Sequence, residues 1–473
     1  MRGQSISKRI KALAAFGVMT AAAVNAPLVR ADNVTDAMIG AYNSSGLLEQ
    51  NRALLRVADE SVAISVAGLR PVVTSALSIA RDYNRTGLDA GGARSSHSTG
   101  ASVSLSLSWL LFDNGATQLD TKAAQETVLA TRQTLLDVEQ QVLFSAVQAY
   151  VNVLTQQDTV ALRRNNLRLL QEELRAANDR FEVGEVTRTD VALAESQVAE
   201  ARANLTDAQG ALLSARATYE EVVGRAPGAV TAYPPLPRRS ASLDAAQALA
   251  LRGHPSLRAQ QHAVKAAQLT ADSSLRDMGP SVSFSASASH GDVHSSDAGS
   301  DNFDLGLTMS QTIYAGGALA ASRRVGLARL DAERGALLST QRSITSNTAS
   351  AYTAFETSAA SLVSSNERVR AAQVAFDGVR EEATLGSRTT LDVLQAEQEL
   401  LDAQTARLQA RANQALAAYD LLQAQGLLTA ENLNLAVERY DPEIYHNQVR
   451  SAPAFVTKRG QDLDRVLKAL RKN

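Results

Sequence analysis

The chain has 473 residues, a formal net charge of −2, no cysteine, ten prolines and 4% aromatic residues. The missing cysteine excludes disulfides, thiolate metal sites, a cysteine nucleophile and an acylated N-terminal cysteine, and the mildly acidic balance argues against a nucleic-acid partner. Scarce proline and aromatics beside abundant Ala, Leu, Gln, Glu and Arg favour long helices over several compact globules.

Residues 1–31 carry the parts of a secretory signal: Arg2, Lys8, Arg9 and Lys11, an apolar stretch from Leu13 to Val24, then small residues before Asp32. Cleavage is expected after Ala31 rather than Ala26, which removes five basic residues and takes the net charge from −2 to −7. Beyond it no window reaches the roughly 18 to 20 consecutive apolar residues of a spanning helix, so any membrane insertion must be by strands.

Residues 32–226 and 241–426 read as one unit written twice, joined by a linker at 227–240 that holds Pro234 and Pro235. A shift of 202 lays Leu111-Phe112-Asp113-Asn114-Gly115 on Ile313-Tyr314-Ala315-Gly316-Gly317 and Ala149-Tyr150 on Ala351-Tyr352. It also lays Val183 to Val191 on Leu385 to Val393, and Ala194-Glu195 on Ala396-Glu397. Upstream the shift becomes 209, pairing Pro71 with Pro280. Each copy predicts a short helix, a strand, a polar loop, a strand, a long helix, a turn and a shorter helix.

The strand hairpins are expected at about 72–111 and 281–313. Ser102 to Leu111 alternates apolar residues with Ser, the period-two mark of a strand with one apolar and one wet face. Phe303 to Ser310 and Val282 to Ser289 alternate likewise, while the strand after Pro71 is less regular. Residues 82–100 and 290–301, rich in Gly, Ser and Asp, predict exposed loops. From about Ala116 to Arg180 and from Ala318 to Glu382 there is no proline. Such runs predict helices near 100 Å long, stable only when packed along their length. The shorter helices should reach about 223 and 425.

Strands of about ten residues with a polar face suit an outer-membrane barrel. Four cannot close one, and an open edge in lipid leaves unpaired amides at several kcal/mol each. Association is therefore required, and eight strands from a dimer or twelve from a trimer both satisfy it. Val103, Leu105, Leu107, Trp109, Phe303, Leu305 and Leu307 are the expected lipid-facing residues, with Ser turned to water. A small soluble barrel is the alternative, but it would pack apolar side chains inside.

The signal, the duplicated hairpin-plus-helices, the Leu111 to Gly115 junction with its Tyr314 to Gly317 partner, and the paired turns at Gly184 and Gly386 together resemble the TolC family of outer-membrane factors. The resemblance covers about Asp32 to Gly426. It implies a homotrimer with a twelve-stranded membrane β-barrel and a long α-helical barrel crossing the periplasm.

At the far turns, Gly184 and Gly386 read as helix-ending glycines and Thr187 and Thr389 as N-caps, with Asp190 and Asp392 at the third helical position. Capping alone accounts for these residues. The resemblance implies more: Arg388 bonded to Thr189 and Asp190 to hold the tips shut, and Asp392 forming an acidic ring at the periplasmic gate, able to filter ions. Ala383 and Gln395 stand where that pattern expects a tyrosine and a second ring carboxylate, so lock and filter should be weakened.

His290, His294, Asp292 and Asp297 cluster in one loop without the scaffold a metal site needs, and no nucleotide-binding or zinc-protease motif occurs. No cofactor or catalytic residue is expected. Residues 427–473 are expected to be a C-terminal periplasmic tail, its last sixteen residues, with six basic and two acidic side chains, a frayed end rather than a membrane-surface or partner helix. The resemblance implies a passive duct docked to a periplasmic adaptor and an inner-membrane transporter of ABC type, serving type I protein secretion. Drug or metal efflux is the alternative within the family, and a periplasmic coiled-coil scaffold or an adhesin the alternative outside it.

Overall fold

A computed structural model describes residues 31–88, 92–238, 240–293, 299–454 and 457–470. Residues 1–30, the body of the expected signal, lie outside them. The elements in chain order begin with β1 (Ala31–Asp32), α1 (Val34–Ser44), α2 (Gly46–Ala67), β2 (Val72–Leu88) and β3 (Gly92–Phe112). Then come α3 (Ala116–Glu182), α4 (Arg188–Val223), β4 (Ala229–Val230), α5 (Leu243–Gly253) and α6 (Pro255–Arg276). The second hairpin is β5 (Ser281–Val293) and β6 (Gly299–Ser310), followed by α7 (Ala318–Thr384), α8 (Thr390–Ala424), α9 (Pro442–Val449) and α10 (Lys458–Leu470).

The duplication is visible in the element lengths. Helices α3 and α7 each run 67 residues, about 100 Å at 1.5 Å per residue. Both start after a left-handed glycine, Gly115 at φ 85° and Gly317 at φ 90°, which lets the chain turn from strand into helix. Neither long helix is strongly amphipathic by itself. Each is covered along its length by its hairpin partner and, near the sheet, by α2 or α6.

Where one short helix was expected before each hairpin, the structure has two. Ser45 breaks the first pair, its Oγ accepting from the Leu48 amide at 3.2 Å. His254 breaks the second because Pro255 follows, and a residue before proline is pushed out of the helical region.

The expected loops at 82–100 and 290–301 are also corrected. Strand pairing continues to Leu88 with Gly92 in the first hairpin and to Asp292 with Gly299 in the second. Periodicity could not mark these ends, since a strand wet on both faces needs no apolar alternation while its backbone ladder continues unchanged.

The four long strands form one antiparallel sheet in the order β2-β3-β5-β6. It is open, with β2 and β6 as edges. Between sheet and helix tips lies a core of Tyr42, Leu48, Leu143, Val147, Tyr150, Tyr219 and Leu428. The short parallel pair β1–β4 is tied into it: Tyr150 Oη donates to the Ala232 carbonyl at 2.8 Å. Asp32, the residue after the expected cleavage point, is buried there, with Arg225 Nη1 and Nη2 at 2.9 and 2.8 Å and the Gly228 amide at 2.8 Å from its carboxylate.

The chain after residue 427 folds back onto the body of the protein, and Lys458–Leu470, where a frayed end was expected, is helical. Leu428, Ala430 and Leu435 join the core, and α9 docks on α2, His446 Nδ1 lying 2.8 Å from Asp59 Oδ1 and Tyr445 Oη 2.7 Å from Glu60 Oε1. Arg132 pairs with Glu443, and Arg70 donates to the Ser451 and Ala452 carbonyls. These partners lie more than 300 positions apart in the sequence, so no local pattern announces them.

Candidate functional site: a two-faced sheet and the helix tips

The strand register sorts the sheet into two faces. Directly paired residues of antiparallel strands point the same way. Leu107 pairs with Val73 and Ala286, and Ala286 with Leu305; Leu105 pairs with Ala288, and Ala288 with Phe303. Trp109, Phe284 and Leu307 complete the next row toward the helices. The seven residues expected to face lipid therefore share one face. Six are exposed in the protomer, Phe303 most at 71%, and Leu107 is half-covered.

The opposite face is a field of hydroxyls: Thr74, Ser78, Ser102, Ser104, Ser106, Ser283, Ser285, Ser287 and Thr308. They bond across strands, Thr74 Oγ1 to Ser106 Oγ at 2.6 Å and Ser78 Oγ to Ser102 Oγ at 2.8 Å. Short hydroxyl side chains leave space beside the wall for water. At the helix end of the apolar face, Trp109 Nε1 donates to the Leu69 carbonyl at 3.0 Å, the orientation expected of an indole with one apolar and one polar end.

At the other end of the molecule, α3 turns into α4 and α7 into α8 by the same chemistry. Gly184 and Gly386 are left-handed, at φ 82° and 78°. The Glu185 amide bonds the Arg180 carbonyl at 2.8 Å and the Gly184 amide the Phe181 carbonyl at 3.0 Å, the paired bonds that close a helix on glycine. Thr187 and Thr389 then cap the next helices. The Asp190 carboxylate accepts from the Thr187 amide at 2.9 Å, and Asp392 from the Thr389 amide at 2.9 Å. These bonds from Thr187 and Thr389 hold both carboxyls below their ordinary range, so both stay ionised at neutral pH.

Within the protomer Arg388 takes Glu382 as its partner. Arg388 Nε lies 2.8 Å from Glu382 Oε2, on the preceding helix end, and makes no bond to Thr189 or Asp190 among the described residues of the protomer. The sequence reading overlooked Glu382 because it lies outside the duplicated turn motif. Ala383 packs with Phe376, Val393 and Leu400, and Gln395 is exposed.

A second feature was missed in the seam where α3 crosses α8. Glu397 and Asn166 are both buried there, and Asn166 Nδ2 donates to Glu397 Oε1 at 2.9 Å. Burial pushes the Glu397 carboxyl up to about 7, with Glu173 adding to the rise and Asn166 and Arg380 opposing it. Its repeat counterpart Glu195 is exposed, so the doubled Ala-Glu motif alone could not reveal it.

On the sheet, His290 Nδ1 sits 2.7 Å from Asp301 Oδ1, and no group of three possible ligands gathers around a metal-sized space among the described residues. His294 and Asp297 lie outside those residues. No described helix is long and apolar enough to cross a membrane.

The sequence pattern of the outer membrane efflux protein family matches residues 41–225 and 247–427, one stretch in each repeat. The chain belongs to this family. The outer membrane efflux protein BepC of Brucella suis is 34% identical over 455 residues, covering 94% of this chain and 97% of that protein. The alkaline protease secretion protein AprF of Pseudomonas aeruginosa is 27% identical over 267 residues, covering 54% of this chain and 55% of that one. Among solved structures, the channel CusC shares the fold with a TM-score of 0.73 at 17% identity, covering 84% of this chain and 92% of that one. As a family member this protein is an outer-membrane export channel of the TolC type, not an enzyme, and the resemblance read from its sequence holds.

Proposed function

We propose that three copies of this chain form a continuous export duct, a twelve-stranded β-barrel in the outer membrane joined to an α-helical barrel in the periplasm. The carrying observation is the register that puts apolar side chains on one face of all four strands and hydroxyls on the other. A sheet with that division and two unpaired edges, β2 and β6, is satisfied in lipid only by closing on sister chains. Twelve strands give a water-filled lumen rather than a packed core.

The helix tips face the inner membrane in this reading. There the duct meets a periplasmic adaptor and an inner-membrane transporter, which supplies the energy. Asp392, once per protomer, forms the acidic ring of the closed periplasmic gate, with Arg388, Thr189 and Asp190 holding the tips. Small-molecule efflux is the cargo route supported by likeness to BepC across nearly the whole chain. Likeness to AprF over about half of it supports type I protein secretion through an ABC transporter as the second reading.

Purification in detergent tests the assembly. A particle of three chains that conducts ions across a planar bilayer is the expected result. A monodisperse monomer that stays in solution without detergent overturns it. Export of a dye or of a protease by a strain lacking its own duct then separates the two routes.

A further inference from the structure

The apolar face of the sheet ends at a definite line. On β3 it runs from Phe112, which pairs with Val282 past a bulge, to Ala101, which pairs with Asp292, about ten strand steps or about 24 Å of membrane depth for strands tilted about 45°, close to the roughly 25 Å band of outer-membrane barrels. Beyond that line on the same face, β2 presents Arg81, Tyr83 and Arg85, and β3 presents Thr99, His97 and Ser95 as their direct partners. On β5 and β6 the change comes four residues earlier, at His290 and Asp301, in the row of Val103. A level plane crossing tilted strands must meet them at such a diagonal.

Arg81 and Arg85 stand just outside the apolar band and point toward the membrane side. Both are exposed. Neither has an ion pair or side-chain hydrogen bond among the described residues. Asp82, the nearest acid in sequence, points to the opposite face by strand alternation. Between the two arginines Tyr83 meets His97 across the strand pair, their ring centroids 4.8 Å apart. Four residues of tilted strand separate the guanidinium stems by about 9–10 Å in depth, more than the roughly 5–8 Å of one headgroup layer, a difference the long arginine side chains can close by leaning toward it. The neighbouring acids on this face are Asp301, taken by His290 at 2.7 Å, and Asp292, both on the second hairpin.

We propose that Arg81 and Arg85 bind the phosphate groups of outer-leaflet glycolipid headgroups, so that the duct carries a shell of phosphorylated lipid around its outer rim. Guanidinium groups recognise phosphate through paired, charge-assisted hydrogen bonds, and the apolar belt below them already faces the acyl chains of the same lipids. The inference rests on the sheet being a barrel wall.

The test places the full-length channel in phosphatidylcholine vesicles containing either diphosphorylated lipid A or its dephosphorylated form, then counts retained lipids by native mass spectrometry. Wild type should retain the phosphorylated lipid about ten-fold better. Arg81→Gln/Arg85→Gln should insert equally well and lose the preference, while Asp82→Asn keeps it. Equal retention of the two lipids by wild type, or an unchanged preference in the double variant, overturns the proposal. A protein that enters neither vesicle sinks the barrel reading as well, which distinguishes the two failures.

Discussion

Asn166 donates to Glu397 inside the α3–α8 seam, and the other carboxyl oxygen of Glu397 is buried without a partner among the described residues. One amide cannot replace the water that a carboxylate gives up, so the neutral acid is the favoured form in the folded chain.

The pH consequence has a definite sign. The Glu397 carboxyl titrates higher in the folded state, at about 7, than its ordinary value of 4.5. Its favourable contribution is whole below about 4.5 and is lost as pH rises through about 7, amounting to roughly 3 kcal/mol. Denaturation profiles should therefore show lower stability at pH 8 than at pH 5 from this group. Glu397→Gln, which cannot ionise, should flatten that difference and be the more stable form at pH 8. A variant with the wild-type pH profile refutes the assignment.

The Asp32 clamp predicts the opposite slope. Burial pushes this carboxyl up, but the bonds from Arg225 and Gly228 together outweigh it and leave it below its ordinary value. Its contribution is present above the usual aspartate range and lost as pH falls through the depressed value. Arg225→Ala strands a buried carboxylate and should cost about 3 kcal/mol, seen as a lower thermal midpoint and as new protease sensitivity near residue 32. Proteolysis and melting identical to wild type would show that the clamp is ornamental.

How much of this was readable beforehand depended on which contacts impose a local pattern. Ser102 to Ser108 alternates because successive residues of one strand fall on an apolar and a hydroxyl-bearing face, and Gly184 and Gly386 recur because each turn needs a left-handed residue. Those were legible. The strand beyond Asp82 was not, because polar residues on both faces remove the alternation. Glu397 and Glu195 look alike in sequence, and only the crossing of α3 over α8 makes one of them a buried acid. The α9 contacts to Asp59 and Glu60 depend on residues at the other end of the chain.

At the tips, the partner of Arg388 decides between two designs of the proposed gate. If the Arg388–Glu382 pair fixes the turn, Glu382→Gln and Arg388→Ser should both make the closed channel leakier in planar bilayers. If Arg388 instead locks Thr189 and Asp190 in the assembled duct, Glu382→Gln frees it for that task and should lower the resting conductance. Asp392→Ala should raise resting conductance or weaken block by multivalent cations. Unchanged block would leave Asp392 with only its capping bonds to Thr389.

The docked C-terminal segment supplies the last prediction. Asp59 is fully buried, and His446 Nδ1 is the partner of one of its oxygens while the other has none among the described residues. Burial raises the Asp59 carboxyl, and the His446 ring is the chief influence opposing that rise. His446→Ala removes this support and leaves a buried acid on which Arg132 still acts favourably and Glu443 unfavourably. A loss of about 3 kcal/mol is expected from stranding a buried polar acid. Adding Asp59→Leu to His446→Ala should recover much of it, since two apolar residues of suitable volume replace a mismatched pair. Chemical denaturation of the four proteins gives the coupling directly. If the two single substitutions simply add, the His446–Asp59 bond does not anchor α9, and the segment is held instead by Tyr445 and Val449, both buried against the body of the protein.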